Sequence, residues 1–463
     1  MIPARAQTLI AATRPLADRF EAGGHRLYLV GGIVRDTILG RDLDGADLDF
    51  TTDATPEQTL ALIKGWADSI WTQGQRFGTI GAMHAGERYE ITTHRAESYS
   101  PESRKPEVTF SRDVATDLSR RDFTINAMAL EVTGASPILI DPFDGVGDLA
   151  RQALRTPLAP EISFEDDPLR MLRAARFIAG LQLEPVPGLV AATTRTAPRL
   201  EIVSAERVRD ELDKLLVVAD PSAGLWFAHD TGVADHFLPE LGAMRLEQDP
   251  IHRHKDVLAH TIAVVANTSP QLKVRLAALF HDVGKPRTRE VGGTNGVSFH
   301  HHEVVGARMT RTRMTALKYP NEMIDDVTQL VYLHLRFHTY GMGWTDSAVR
   351  RFVRDAGDLL PELIELTRCD CTTRNKRKAD MLARRMDDLE HRIREVGAAE
   401  ELKAMRPELD GQAVMERLGI GPGREVGQAM KFLLELRLDE GEIGTDEAAR
   451  RLDAWWAARS TPA

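Results

Sequence analysis

The sequence predicts an α+β protein, a small mixed sheet with helices followed by a long all-α remainder. Short β-prone runs bounded by glycine crowd the first third of the chain. Beyond about residue 155 apolar residues recur at helical spacing, and almost no strand pattern follows. A chain of 463 residues is too long for one core, so two to four domains are expected. The pattern changes at about residue 155. Hydrophobic content of 43% and charged content of 28% are those of an ordinary soluble protein.

The elements follow in order. Leu27-Tyr28-Leu29-Val30 is an apolar run that stops at Gly31-Gly32, a strand ending in a backbone turn. In Asp47-Leu48-Asp49-Phe50 an extended backbone puts both carboxylates on one face and Leu48 and Phe50 on the other. Thr55-Pro56-Glu57 offers an N-cap followed by proline at the first helical position. Gly78–Met83 and Arg88–Thr93 are strands joined by Ala85-Gly86. Helical spacing then links Leu169, Leu172, Ala175 and Phe177, and later Val208, Leu212, Leu215 and Leu216. Gly292–Gly296 is one flexible loop, and there is no tandem repeat.

Composition narrows the function classes. No apolar h-region follows the N-terminal methionine, and no run approaches the roughly 18 apolar residues of a membrane span. A secretory leader and a membrane partner are therefore not expected. The two cysteines, Cys369 and Cys371, stand two apart, poorly placed for a framework disulfide, so a reducing cytoplasm is expected. A net charge of −10 argues mildly against nucleic acid, but a local basic face outweighs a global balance.

Two neighbouring carboxylates repel unless a cation lies between them, so Asp47 and Asp49 suit a two-metal phosphoryl or nucleotidyl transfer site. The plainer reading is a polar turn with solvated acids. Gly31 and Gly32 allow backbone N–H groups to approach phosphate, and Arg35 adds a charged fork; a simple turn is the alternative. Glu90 sits on a β-prone segment and is the candidate third carboxylate, with a surface glutamate as the other reading. Asp167, Arg170, Arg173 and Arg176 recur every third residue, which on a helix gathers an acceptor and several guanidinium donors. Such a pair can address the edge of a base; a solvated face of ion pairs is the bland version.

These motifs together resemble the class II tRNA nucleotidyltransferases, which include CCA-adding enzymes and bacterial poly(A) polymerases. The carriers are Val30-Gly31-Gly32-Ile33-Val34-Arg35-Asp36 with Leu39-Gly40-Arg41 and Asp47-Leu48-Asp49, then Arg120–Ala129, Asp141–Gly145, Glu165–Phe177 and Glu206–Glu211. Five ordered motifs across about residues 25 to 220 make a chance match improbable. The resemblance implies a DNA-polymerase-β-like head at 1–155 and a neck at 156–220 carrying base recognition. It also implies that Asp47 and Asp49 hold two Mg²⁺ ions. Gly31, Gly32, Arg35, Arg121 and Asn126 would bind the nucleotide, Asp167 with Arg170 would select C and then A without a template, and Arg173 and Arg176 would meet triphosphate and RNA backbone.

A second set begins near residue 250. His260, the adjacent His281-Asp282 and the distant Asp370 look like the HD metal-dependent phosphohydrolase family. Imidazole and carboxylate ligands suit a divalent transition metal with open positions. His302 and His334 extend the set to a second ion or are structural. This body, 221–383, precedes a tail at 384–463 expected to bind tRNA. Arg374–Lys378, Arg384-Arg385 and Arg392-Ile393-Arg394 form a basic stripe without interleaved aromatics, suited to the phosphates of a folded duplex. Leu418–Gly427 reads as a turn opening a helix whose N–H groups could hold a phosphate.

The expected reaction is addition of CCA to tRNA from CTP and ATP, with release of pyrophosphate. A poly(A) polymerase of the same family is the nearest rival. Gln75-Arg76-Phe77-Gly78-Thr79 resembles the CCA-adding pattern rather than the Gly-Arg-Arg-Phe-Arg type. An HD phosphohydrolase acting on RNA ends and a non-enzymatic RNA-binding module are the rivals from other classes.

Overall fold

The computed structural model describes residues 4–43, 48–100, 103–246, 256–291, 297–371, 376–396 and 406–459. Asp47 lies outside the described residues, as do Arg374 and Asn375 of the basic run and the Gly292–Gly296 loop. The protein divides into two compact units, residues 1–243 with 316–319 and residues 244–315 with 320–463. Among the described residues no helix is long and apolar enough to cross a membrane.

The first unit opens with helix α1 (Ala4–Ala22) and strand β1 (Leu27–Val30), whose four residues are all buried. Helix α2 (Gly32–Ile38) and strand β2 (Leu48–Thr52) follow. Helix α3 (Pro56–Ile63) starts from the expected cap. Thr55 Oγ1 accepts from the Gln58 amide, and the Thr55 amide donates to Gln58 Oε1 in return, a reciprocal capping box. Strands β3 (Ser69–Trp71), β4 (Thr79–His84) and β5 (Glu87–Thr93) come next. Ala85 and Gly86 both have positive φ at the β4–β5 turn, which matches the twist of a two-residue hairpin. Strands β6 (Arg95–Ser100) and β7 (Ser103–Phe110) form a separate hairpin, and helix α4 (Val114–Ser119) leads to β8 (Ala129–Glu131) and β9 (Ile138–Ile140). The main sheet has seven strands in the order β3-β4-β5-β2-β1-β8-β9. Within it β2 and β5 run parallel, with Asp49 opposite Glu90 and Leu48 opposite Tyr89. Leu48 and Phe50 are buried while Asp49 is half-buried, the alternation expected of this strand.

Helices then take over: α5 (Gly145–Ala150), α6 (Pro160–Asp166), α7 (Leu169–Leu181), α8 (Pro187–Thr196), α9 (Ala205–Leu216), α10 (Ser222–Asp230) and α11 (Pro239–Ala243). Helix α7 buries Leu169, Met171, Leu172, Ala174, Ala175, Phe177 and Ile178. Helix α10 crosses it so closely that a Cβ on Gly224 would meet the Ala175 carbonyl oxygen at 2.3 Å, which is why glycine stands there.

The second unit is helical: α12 (Val257–Asn267), α13 (Leu272–Phe280), α14 (His302–Ala316, its last residue in the first unit), α15 (Asn321–Leu333), α16 (Asp346–Ala356), α17 (Leu360–Asp370) and α18 (Lys376–Val396). The last three helices, α19 (Gly411–Leu418), α20 (Arg424–Glu440) and α21 (Thr445–Arg459), enclose a small core of Leu409, Val414, Ala429, Leu433, Ala448 and Leu452. The expectation of a nearly strand-free remainder holds apart from two short pairs. These are β10 (Ala153–Leu154) with β11 (Glu184–Pro185), and β12 (Arg289–Val291) with β13 (Val297–Phe299). Runs of two or three residues are too short to register as a period of two.

Thr55→Ala removes one half of the capping box, and the expected cost is about 1 kcal/mol. The transition of the first unit should fall by about 2–4 °C in calorimetry; an unchanged transition would mean the cap does not limit that unit.

Candidate active site and metal centre

The ladder between β1 and β2 runs antiparallel through Leu29 and Phe50, so β1 reaches its glycine turn where β2 carries Asp49. Gly31 has φ 78°, a conformation open to glycine at little steric cost. A Cβ there would also sit 3.2 Å from Nη1 of Arg121. The turn therefore brings bare backbone and a guanidinium together. Arg121 is aimed by Asp117, a fully buried carboxylate on α4 that accepts from both Arg120 and Arg121. Burial alone would raise the Asp117 pKa, but the two arginines outweigh it and hold it below the ordinary range. Glu90 shares the face of Asp49 across the parallel pair, and its carboxylate also accepts from Arg88.

A continuous polar network starts beside this turn. Arg35 donates to both oxygens of Asp36 and, through Nη1, to Asn126 Oδ1 at 2.7 Å. Asn126 donates to Asp122 Oδ1 at 3.0 Å, and Asp122 Oδ2 accepts Nε and Nη2 of Arg173 at 2.9 and 2.6 Å. Arg173 Nη1 and Arg176 Nε then donate to the two oxygens of buried Glu211 at 3.2 and 2.8 Å. Burial would push the Asp122 carboxyl up, yet Arg173 and the Asn126 hydrogen bond hold it far below the usual carboxylate range. Phe177 lies among three guanidinium carbons, at 5.4 Å from Arg35, 5.6 Å from Arg173 and 4.4 Å from Arg176, with Phe123 edge-on at 5.5 Å. Arg35, expected to fork onto phosphate, is thus turned into this network with its side chain 11% exposed.

Asp167 departs from the expected placement. It does not stand on the arginine helix. Its backbone is extended (φ −137°, ψ 99°) at the end of α6, and Pro168 separates it from α7. The residue before a proline is driven out of the helical region, which is the physical reason. Its carboxylate accepts from Arg207 on α9 at 3.0 Å and from the Leu169 amide at 3.2 Å. The Arg170 side chain does not share that half-buried acceptor. It is 8% exposed and donates to Ser163 Oγ at 2.8 Å and to the Arg120 carbonyl oxygen.

The second unit gathers two groups of metal-type ligands, His260, His281 and Asp370, and Asp282, His302 and His334, with the ligand atoms of each within 4.8 Å of one another. His281, His302 and His334 each direct Nδ1 at the carbonyl three residues back, of Ala278, Phe299 and Val331, at 2.7, 2.8 and 2.6 Å. A carbonyl only accepts, so Nδ1 carries the proton and the Nε2 lone pair is left for a cation. The Nε2 atoms of His302 and His334 are buried with no well-formed hydrogen bond to any described residue, Asp282 Oδ1 lying 3.4 Å from that of His302, an arrangement a divalent ion would satisfy. Burial alone would lower the His281 pKa, but Asp282 and Asp370 raise it to about 10. Burial drives His334 down to about 3. The carboxylates thus favour positive charge at His281, and burial favours the neutral form of His334, the form a ligand must have. His338, not singled out from the sequence, stands 3.6 Å from Asp370.

Three family models match. One described as "Poly A polymerase head domain" covers residues 27–155, "Probable RNA and SrmB- binding site of polymerase A" covers 183–244, and "HD domain" covers 257–375. Over 96% of its length the protein is 34% identical to the A-adding tRNA nucleotidyltransferase of Deinococcus radiodurans, covering 98% of that protein. The chain belongs to the class II tRNA nucleotidyltransferase and bacterial poly(A) polymerase family. It is a nucleotidyltransferase with an HD domain. It is also 41% identical to the CCA-adding enzyme of Levilactobacillus brevis, over 48% of its own length and 53% of that enzyme, so this match spans about half of the relative. The fold matches the Bacillus stearothermophilus CCA-adding enzyme in complex with CTP, with TM-score 0.66, 23% identity and coverage of 96% and 97%. The Thermotoga maritima CCA-adding enzyme complexed with tRNA gives TM-score 0.60 at 19% identity, covering 98% and 96%.

Within this family member, the sequence motifs contain Asp122, Arg207 and Glu211 without assigning them a role, and Asp117 is not singled out. Asp117 lies four residues before Arg121 on a helix, a spacing that could have revealed the pair. Glu211 has a local partner in Lys214, but Arg173 and Arg176 lie on another helix and have no signature in local spacing.

Glu211→Ala takes the shared acceptor from Arg176 while Arg173 keeps Asp122, and the expected loss is about 1–3 kcal/mol in a urea titration. Gly31→Ala should lower nucleotide incorporation at least tenfold while the first unit keeps its fold by circular dichroism; wild-type incorporation would show that the turn does not set the site.

Proposed function

We propose that this nucleotidyltransferase adds CCA to the 3′ end of tRNA from CTP and ATP without a template. The observation that carries the reading is the Asp49–Glu90 register pair at the end of β1 where the Gly31 turn and Arg121 converge. Asp47, two residues before Asp49 on the same strand pattern, completes the acidic set. Mg²⁺ held by Asp47 and Asp49 would supply charge neutralisation at the α-phosphate and at the leaving pyrophosphate. The protein's own part is positioning. The Gly31-Gly32 turn and Arg121 seat the triphosphate, while Arg35 and Asn126 brace that seat from behind. Asp167 and Arg170 then read the base, which requires Arg207 to release Asp167 and Arg170 to leave Ser163. Arg173 and Arg176 fix α7, the helix that carries Arg170. The domain division at 155, 220 and 383 belongs to the same proposal, with the reader in the neck and tRNA held by the tail. Two thiols that form no disulfide with each other favour a reducing cytoplasm.

A second reading has its own observation, the full-length similarity to an A-adding enzyme. Two tRNA transcripts decide between them, one lacking all three terminal residues and one ending in CC. Full CCA addition to the first supports the proposal. Acceptance of the CC-ended transcript alone would mean an enzyme that adds only the terminal A, and a long adenylate tail would mean a poly(A) polymerase. Asp49→Ala is expected to lower incorporation at least a thousandfold; if only His281→Ala lowers the observed turnover, the phosphohydrolase reading replaces this one.

For the HD groups the proposed occupant is a divalent transition ion, which would supply Lewis acidity there. Elemental analysis should find up to two ions per protein molecule, one for each ligand group. The double variant His302→Ala/His334→Ala should lose one of them. An unchanged count would refute the second position.

A further inference from the structure

The corner around Asp167 holds a guanidinium to which the motifs give no role. Arg207 is the third residue of α9, so its side chain leaves the first turn of that helix beside the end of α6. Its Nη2 donates to Asp167 Oδ2 at 3.0 Å, while the Leu169 amide donates to Oδ1 at 3.2 Å. The carboxylate is thus fixed through both oxygens, and each keeps a second lone pair. Among the described residues Asp167 is the one hydrogen-bond partner of Arg207, whose side chain is 41% exposed. Several of its N–H groups are therefore left for a ligand. Arg170 is the opposite case. It is buried, with Nη1 spent on Ser163 and Nη2 on the Arg120 carbonyl oxygen.

We propose that Arg207 is a base-reading residue, the donor that works beside the acceptor of Asp167. The inference rests on the nucleotidyl-transfer reading above and deepens it by naming a further residue that selects the base. Cytosine and adenine share one edge pattern. Cytosine sets its N4 amino donor next to the N3 acceptor, and adenine sets its N6 amino donor next to N1. Uracil and guanine present the reverse, a carbonyl oxygen next to a ring N–H. When the amino group of a base takes Oδ2 from Arg207, one N–H donor replaces another on the same oxygen, and the exchange costs little. The released guanidinium stays beside the carboxylate, level with the ring nitrogen that neighbours the amino group. An acceptor and a donor side by side then match cytosine and adenine alike. Against uracil or guanine they set acceptor to acceptor and donor to donor, which leaves polar groups unpaired. Arg170 reaches the same place only by giving up two acceptors in the interior.

The test pairs a substrate analogue with each variant, using the full-length protein and a tRNA transcript ending in CC. 1-Deaza-ATP keeps the N6 amino group of ATP but has C–H in place of N1. The wild-type protein should use it on the order of tenfold less efficiently than ATP by kcat/KM, the loss of one hydrogen bond to a charged group. Arg207→Ala should lower kcat/KM for ATP by a similar factor and then use the two nucleotides equally well. Arg207→Lys should recover part of the preference, since an ammonium still donates. Each ratio is taken within one protein, so a general loss of folding cancels. Equal use of both nucleotides by the wild type would overturn the inference. So would an alanine variant that is slower with both yet keeps the preference, the outcome of a purely structural role. Loss of the preference only in Arg170→Ala would assign the donor to Arg170 and likewise overturn it. Failure of the wild-type protein to extend the transcript with ATP would instead remove the functional reading itself.

Discussion

The grip of Asp122 on Arg173 is the interaction on which the catalytic unit depends. One buried carboxylate takes two guanidinium donors from α7 on one oxygen and the Asn126 amide on the other. It thereby ties the Asn126 segment behind the glycine turn to helix α7. A buried ion pair is a weak source of net stability because both charges give up hydration. Its value here is geometric: neither partner can shift without leaving an uncompensated charge, so the spacing between the two parts of the site is fixed.

The same economy recurs at the other acids of the unit. Asp117 fixes Arg121 opposite Gly31, and Glu211 fixes Arg173 and Arg176 from α9. Phe177 fills the space between the guanidinium groups with a ring face, which favours cations that are already partly desolvated. The groups with room to change partners are those at the edge, Asp167 with Arg207. Under the proposed reaction, a braced phosphate seat beside an adjustable corner at Asp167 would let one triphosphate site accept two different bases in turn.

The histidine cluster of the second unit follows a different principle. Its three inner imidazoles are oriented from the back by main-chain carbonyls at helix and strand ends, which decides the tautomer before any ion arrives. Preorganisation of that kind lowers the cost of binding a cation, and it holds the ligand set in place through the fold of α13, α14 and α15.

The sequence by itself determined the strand-to-turn step at Val30–Gly31, the alternation of Leu48, Asp49 and Phe50, the capping box at Thr55, the β4–β5 hairpin and the residue types of both sites. Each of these is a local property, fixed by side-chain period, cap chemistry or the freedom of glycine. Even the exit of Asp167 from the helix was written locally, in Pro168. Tertiary structure alone decided which charges meet. Arg170 turning inward to Ser163, Arg35 reaching Asn126, and Glu211 joining two arginines of another helix depend on how elements distant in sequence pack. Electrostatic partnership is set by distance in space, and the spacing of residues along a polypeptide does not carry that information.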